Sequence, residues 1–246
     1  MTTIATQTSG QQRSRTRHNP QTAKRLALVL ALLLSLALTY SGGRLLLAGV
    51  ASYQVQAFLN AWSAKSQEPS PRAWQIARDA AQRAVDLYPG RNGEYLERLG
   101  RIQQWQQFRQ PFGAPQAEAS RRAALEAFRA ASQARPTWPY TWVALAFTKL
   151  YLLEFDDEFA HALQQAHSLG PTRIDINRTL AEIGLLAWPQ LDDGQRSATL
   201  ESAHRTVTYS PWEAQNLLAV ANRTGMASQL CASLDDTLKD TRNICR

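Results

Sequence analysis

The chain has 246 residues, 44% of them hydrophobic, and a formal net charge of +7, which at first suggests a nucleic-acid-binding protein. The charge is unevenly placed, because the first 43 residues carry five basic side chains and no acidic one. Removing these five from the 27 basic residues leaves 22 against 20 acidic residues, so the remainder is almost neutral. Nucleic acid is therefore not an expected partner.

The N-terminal segment is a basic tail, residues 1–23, followed by the uncharged apolar run Leu26–Tyr40. The run has 15 residues, whereas a membrane-spanning helix needs about 20. A helix from near Ala23 to Gly43 reaches that length and leaves Arg44 at the far interface. We therefore predict a membrane anchor with its interface over residues 24–50. Basic residues stay on the cytoplasmic side, so residues 51–246 are predicted to lie on the opposite side.

A cleaved signal peptide is the alternative interpretation of this segment. Small residues around Ala37 and Thr39 offer a cleavage site after a basic region and a short apolar region. We favour the uncleaved anchor because apolar residues continue through Leu45–Val50, beyond such a cut. Both interpretations place the remainder of the chain outside the cytoplasm.

The rest of the chain is predicted to be all-α, since its apolar residues recur at helical spacing from Ser52 onward. The first clear helix is Ala73–Leu87, which ends at the helix-stopping sequence Tyr88-Pro89-Gly90. Residues 110–115 are predicted to form a loop before a helix from Ala117.

Helix endings with a proline recur along the chain. Pro89, Pro136, Pro171 and Pro211 each follow a similar apolar pattern, and they are spaced by 47, 35 and 40 residues. A repeat of about 34 residues with a proline in the turn is typical of tetratricopeptide helical hairpins. We therefore predict an N-terminal transmembrane helix followed by a tetratricopeptide-like solenoid of stacked hairpins.

The acidic residues Glu154, Asp156, Asp157 and Glu158 form a cluster just where a helix is expected to begin. A catalytic carboxylate pair is conceivable there. Helix capping is the better explanation, because acids at an N-terminus complement the helix dipole. Asp192 and Asp193 are interpreted in the same way.

The sequence yields no catalytic, cofactor-binding or metal-binding residue that we can nominate. His161 and His167 are six residues apart, whereas two ligands on one helix face are usually four apart. No serine or glycine motif of a known catalytic or phosphate-binding type was found.

An aromatic cluster follows Pro136 and offers the one candidate contact surface. Trp142 and Phe147 are best explained by core packing, whereas Trp138 and Tyr140 stand at the turn. Trp138 is expected to be exposed. Exposed aromatic rings can hold a partner protein or stack on sugar rings.

The two cysteines, Cys231 and Cys245, both lie near the C-terminus. In an exported domain such a close pair predicts a structural disulfide, which would stabilise by roughly 3 kcal/mol. Two unpaired thiols are the alternative.

Several stretches resemble the VpsP-like family of bacterial polysaccharide-biosynthesis proteins. They are Arg135–Trp142, Ala144–Leu150, Asp157–Ala166, Leu169–Pro171 and Ala181–Trp188. The resemblance extends from about Pro71 to Cys245 and contains no catalytic signature. It implies a single-pass protein of the bacterial inner membrane, with a periplasmic repeat domain that supports exopolysaccharide biosynthesis or export.

We therefore expect a non-enzymatic scaffold, without cofactor, whose partners are other inner-membrane or periplasmic polysaccharide-assembly proteins. A module that binds the glycan itself through Trp138 and Tyr140 is the alternative. A polysaccharide-trimming enzyme is a third hypothesis, for which no pair of carboxylates can be nominated.

Overall fold

The computed structural model describes residues 20–245 of the chain. Residues 1–19, most of the predicted basic tail, lie outside the described residues, as does Arg246. All regular elements within 20–245 are helical, which confirms the all-α prediction. The chain divides after Gly43 into two compact units.

Eleven α-helices and one short 3₁₀-helix follow one another in the described residues. They are α1 Pro20–Lys65, α2 Pro71–Leu87, α3 Gly93–Trp105, α4 Pro115–Ala134, α5 Pro139–Leu152, α6 Asp157–Leu169, α7 Ile174–Ala187, the 3₁₀-helix Trp188–Gln190, α8 Asp193–Tyr209, α9 Pro211–Thr224, α10 Ala227–Ala232 and α11 Asp236–Arg242.

The first unit contains the apolar part of α1. This is the one helix among the described residues that is long and apolar enough to cross a membrane, with a mean hydropathy of 2.0 in its most apolar window and no residue of that window buried. Leucines such as Leu28, 70% exposed, and Leu38, 68% exposed, illustrate this. A membrane-spanning helix is the element that needs such an unpacked apolar surface.

The helix α1 does not end at Gly43, where the sequence suggested a limit. It continues without a break to Lys65. Gly42 and Gly43 each lower the stability of the helix by about 1 kcal/mol relative to alanine. Packing of the later part outweighs that cost, because Val55, Leu59 and Trp62 are buried against α2 and α3. The second unit thus begins with Arg44, within the predicted anchor and interface of residues 24–50.

Helix ends in the second unit follow the signals in the sequence. Pro89, Pro136 and Pro171 lie in the turns before α3, α5 and α7, and Pro211 is the first residue of α9. Asp156 caps α6 by accepting a hydrogen bond from the backbone N–H of Phe159. Asp192 forms a capping box with Gln195 at α8. Capping by these two aspartates and the loop at residues 110–115 are therefore confirmed.

Three apolar clusters follow one another along the second unit. The first joins α1, α2 and α3 around Ile102, the second joins α4 to α7 around Phe128 and Phe159, and the third joins α7 to α11 around Leu217. The helix α7 contributes Ile183 to the second cluster and Leu185 to the third. Each helix from α2 to α8 packs on the next, and α5 with α7, α6 with α8 and α7 with α9 also pack together.

The contact between α7 and α8 depends on a glycine. A Cβ at Gly184 would lie 2.1 Å from Oγ1 and 2.3 Å from Cγ2 of Thr199, which is itself buried. These distances are far below van der Waals contact, so the two helices would have to separate.

We therefore expect Gly184→Ala to lower the free energy of unfolding by about 2 kcal/mol, despite the better helix propensity of alanine. Thermal denaturation followed by circular dichroism measures the change. Gly49→Ala is the matched control, because a Cβ there meets nothing within 4 Å. Equal melting temperatures for the two variants would contradict the proposed close packing.

Candidate functional site

Trp138 and Tyr140 stand at the turn between α4 and α5, as the last residue before α5 and in its first turn. Their ring centroids are 5.0 Å apart, and both side chains are half-buried. Trp138 is thus less exposed than expected. The reason is Arg135, whose guanidinium carbon lies 3.7 Å from the centroid of the indole ring and covers one face.

Arg173, from the turn between α6 and α7, joins the same cluster. Its guanidinium carbon lies 5.8 Å from the ring centroid of Trp138 and 5.5 Å from that of Tyr140. Its Nη1 donates a hydrogen bond to the Tyr140 hydroxyl at 3.2 Å. Partial burial raises the pKa of Tyr140 and a hydrogen bond with Asp175 adds to this, although Arg173 acts in the opposite direction. Two successive turns are therefore linked through aromatic rings.

The turn between α2 and α3 lies next to this cluster. Arg91 donates from Nη1 to Oε1 of Gln133 in α4 at 3.1 Å. Gly93 begins α3, and a Cβ there would lie only 2.7 Å from Cβ of Arg135. Glycine at this position therefore lets the first of these turns lie against the second.

The fourth turn, between α8 and α9, continues the series. A groove of about 430 Å³ is lined by residues of the α6–α7 turn, including Pro171, and by His204, Arg205 and Tyr209 of α8. Tyr209 and Trp212 border the α8–α9 turn, and each is 65% exposed. Large aromatic side chains so exposed are typical of contact surfaces.

We call the surface formed by these four turns the turn edge. Its residues are Arg91, Arg135, Trp138, Tyr140, Arg173, His204, Arg205, Tyr209 and Trp212. It combines aromatic rings with guanidinium groups along one side of the helices.

Among the described residues, three arginines of the turn edge have no acidic partner, as is also true of other arginines in the second unit, such as Arg78. Within residues 20–245, Arg91, Arg135 and Arg173 form no salt bridge shorter than 4.0 Å. Arg205 differs, because it pairs with Glu201. The three arginines contact instead an amide, an indole face and a phenol hydroxyl, and that hydroxyl, of Tyr140, also hydrogen-bonds with Asp175.

A second groove, of about 490 Å³, lies between α6 and α8 and has a different character. His161 and His167 both line it, and His161 packs edge-on against Trp142 with centroids 5.3 Å apart. Asp157 and Asp192 also line it. Its charged groups are therefore acidic, unlike those of the turn edge. No group of His, Cys, Asp and Glu that could hold a metal is found in the described part of the chain.

The acidic cluster surrounds a lysine that the sequence analysis did not single out. Lys149 in α5 has a side chain with 0% exposure, and its Nζ lies 2.8 Å from carboxylate oxygens of Asp156 and Glu158 and 3.3 Å from that of Glu154. Arg129 also binds Glu158, at 2.6 Å. The carboxylates are thus paired with cations across the α5–α6 turn.

These contacts change the ionisation of the groups involved. Burial by itself lowers the pKa of Lys149, but hydrogen bonds to Asp156 and Glu158 outweigh it and the pKa is raised. Hydrogen bonds with Arg129 and Lys149 lower the pKa of Glu158. Desolvation acts to raise the pKa of Asp156, but Lys149 and the N–H of Phe159 lower it overall. All three groups are therefore held in their charged forms.

Cys231 in α10 and Cys245 are joined by a disulfide with a Cα–Cα distance of 5.6 Å. The bond closes the segment that contains α10 and α11, in which Leu230, Leu234 and Ile244 are buried in the third apolar cluster. The disulfide therefore closes a loop whose buried apolar side chains pack against α8 and α9.

Neither models of known protein families nor curated proteins give a match to this chain.

Sequence reasoning identified Trp138 and Tyr140 but missed the arginines that hold them. A signal was present, because Arg91 and Arg173 each follow a turn proline by two residues and Arg135 directly precedes one. A single arginine near a proline carries little information. The recurrence of the pair at three turns is the informative pattern.

Proposed function

We propose that the protein is a non-enzymatic scaffold, anchored in the bacterial inner membrane, that supports exopolysaccharide biosynthesis or export. The exposed apolar segment of α1 joined to a unit of successively packed helices carries this proposal. The scaffold acts by holding other inner-membrane or periplasmic assembly proteins on its helical unit.

A tetratricopeptide-like arrangement of α2 to α9 is part of the proposal. Turn prolines separate α2, α4, α6 and α8 from the helices that follow them. Packing of each helix on the next, together with the contacts of α5 with α7 and α7 with α9, is what stacked hairpins produce. Such stacks present long surfaces on which partner proteins bind.

Charge and cysteine usage support the periplasmic location. The basic, acid-free start of the chain favours a cytoplasmic N-terminus. A disulfide between Cys231 and Cys245 is stable in an oxidising compartment, such as the periplasm. The link to polysaccharide rests on the resemblance of Arg135–Trp142 and the neighbouring stretches to the VpsP-like family.

A binding module for the glycan itself is the second candidate function. It is favoured by the turn edge, where Trp138 and Tyr140 lie among unpaired arginines and the exposed rings of Tyr209 and Trp212 follow. The two functions are compatible, since a scaffold can also guide the polymer that its partners make.

Deletion of the gene in its host is expected to lower the yield or chain length of the secreted polysaccharide, and the full chain should restore both. The double variant Tyr209→Ala/Trp212→Ala should restore less, because Trp and Tyr are enriched among the interface residues whose truncation costs about 2 kcal/mol or more. Polymer mass and length, measured by size-exclusion chromatography, give the readout.

Tyr53→Ala is the matched control, because Tyr53 is 78% exposed and belongs to α1 and not to one of the four turns. It should restore the polymer fully. Unchanged polymer after gene deletion would refute the proposed role. A C-terminal fluorescent reporter that is dark in the periplasm tests the topology. Fluorescence from this reporter would refute a periplasmic location of the second unit.

A further inference from the structure

We infer that the turn edge binds an acidic polysaccharide, a linear chain of sugars that carry carboxylates, and that Arg91, Arg135 and Arg173 bind its charges. The inference deepens the proposed function and rests on it for the source of the polymer. The residues and contacts that carry it are those of the second unit.

The arginines are arranged as a row and not as a pocket. Each comes from a different turn, and the turns are in contact through Gly93 beside Arg135 and through Trp138 and Tyr140 beside Arg173. The groove beside Pro171 extends the row to Tyr209. A row of cations spaced along successive turns suits an extended chain with repeated negative charges better than a single small anion.

The guanidinium groups are held in place before any ligand arrives. Arg135 covers one face of the Trp138 ring, and Arg173 donates a hydrogen bond to Tyr140. Ordering these side chains therefore costs little on binding. A guanidinium group can bind a carboxylate through two parallel hydrogen bonds. These bonds are stronger than hydrogen bonds between neutral groups because both partners are charged.

A neutral sugar fits the cluster less well. Arg135 occupies one face of the Trp138 ring, and the stacking of a sugar on that face would displace it. Stacking remains open at the exposed rings of Tyr209 and Trp212. We therefore assign the arginines to the acidic groups of the polymer and the two exposed rings to its apolar sugar faces.

An acidic polysaccharide also fits better than an acidic peptide or anionic lipid. The groove beside Pro171 is lined by the exposed hydroxyl-bearing residues Thr172 and Thr208, beside His204 and Arg205. Hydroxyl groups of this kind bind sugar hydroxyls. A polysaccharide repeats charges, hydroxyls and apolar ring faces along one extended chain, whereas a lipid headgroup is a single unit and an acidic peptide has no sugar ring faces.

The test uses the full chain in nanodiscs of zwitterionic phosphatidylcholine, titrated with oligogalacturonate by calorimetry. Saturable binding that weakens as salt is added is expected. The methyl-esterified oligomer has the same sugar backbone without the charges and should bind at least about tenfold more weakly, because each charge-assisted hydrogen bond is lost. Polyglutamate and vesicles of phosphatidylglycerol test the peptide and lipid sources of negative charge.

Arg135→Gln and Arg173→Gln should each weaken oligogalacturonate binding about tenfold. Because each also removes a contact with Trp138 or Tyr140, the melting temperature should fall by no more than about 4 °C. Arg78→Gln is the matched control, since Arg78, which is exposed, also lies over a tryptophan, with its guanidinium carbon 5.7 Å from the Trp74 ring centroid. It should bind like the unchanged protein.

The inference is overturned if the esterified oligomer binds equally well, if polyglutamate or phosphatidylglycerol binds more tightly, or if Arg135→Gln behaves like Arg78→Gln. Such a failure leaves the scaffold proposal intact when gene deletion still lowers polymer yield. Unchanged yield after deletion would remove the scaffold role whatever the binding result.

Discussion

Replacement of Lys149 by methionine is expected to be among the most destabilising single changes in the chain. The side chain is 0% exposed and its Nζ is shared by three carboxylates, those of Glu154, Asp156 and Glu158. Methionine fills the same volume but leaves the carboxylates facing one another without their common cation. Removing one partner of a buried ion pair costs about 3–5 kcal/mol.

Partial exposure of the carboxylates moderates the expected loss. The side chain of Asp156 is 57% exposed and that of Glu158 is 32% exposed, so water screens part of their repulsion. We therefore expect a decrease of about 3 kcal/mol in the free energy of unfolding, which corresponds to about 10 °C in melting temperature for a unit of this size. Urea denaturation and thermal melts measure both quantities.

Two further variants separate the ion-pair effect from a packing effect. Asp156→Asn keeps the cap on α6, because asparagine is as good an N-cap as aspartate. Combined with Lys149→Met it should recover part of the lost stability by removing one repelling charge. Lys239→Met removes a pair with Asp236, whose side chain is 95% exposed, and should change stability by less than about 1 kcal/mol. Equal losses at Lys149 and Lys239 would contradict the proposed network.

The same network predicts a pH window. The pKa values of Asp156 and Glu158 are lowered on folding, so their contribution is complete above the unfolded value of about 4 and is lost as pH falls through the folded values. The pKa of Lys149 is raised, so its contribution is complete below about 10.4 and is lost as pH rises through the folded value. The difference in melting temperature between the unchanged protein and Lys149→Met should therefore be largest between these limits.

Local signals in the sequence predicted the helix ends well. Proline and capping aspartate act within one or two residues of the position they mark, so Pro89, Asp156 and Asp192 could be interpreted without knowledge of the fold. The course of α1 beyond Gly43 could not be interpreted in this way. It depends on Val55 and Trp62 packing against α2 and α3, which lie later in the chain.

In the candidate sites, too, local features were predicted from the sequence and contacts between distant segments were not. In the sequence, Lys149 is a charged residue in an apolar helix, and nothing near it indicates that it is buried. The turn after Leu153 brings the carboxylates that surround it in the fold, those of Glu154, Asp156 and Glu158. Leu153 is in the left-handed conformation, which a leucine in the sequence does not predict, since glycine is the usual residue there. In the same way, Arg173 reaches Tyr140 only because α5 and α7 pack together. Contacts between distant segments were what the sequence left undetermined.

Loss of the disulfide is expected to release the C-terminal segment. The helices α10 and α11 have 6 and 7 residues, too few to be stable alone. The bond joins residues 14 apart, and closing a loop of that size stabilises by about 3 kcal/mol in the chain-entropy model. Cys231→Ala, Cys245→Ala and the double variant should all lose this amount, because any of them removes the same bond.

The loss of stability should be confined to the C-terminal part of the second unit. In a stack of helices each element is stabilised mainly by its neighbours, so hydrogen-exchange protection should fall in residues 227–245 and in the adjoining parts of α8 and α9, with α2 to α5 retained. Dithiothreitol should reproduce the effect in the unchanged protein and have none in the double variant. Additive losses from the two single variants would show that packing of the cysteines, and not the bond, supplies the stability.

The oxidation state of the two cysteines in the cell also bears on where the second unit lies. A disulfide forms and persists in the periplasm, whereas cytosolic thiols are kept reduced. Protein taken directly from its host under denaturing conditions should therefore resist labelling of Cys231 and Cys245 by a maleimide until it is reduced. Immediate labelling of both thiols would show that the disulfide is absent in the cell. The strongest structural support for a second unit outside the cytoplasm would then be lost.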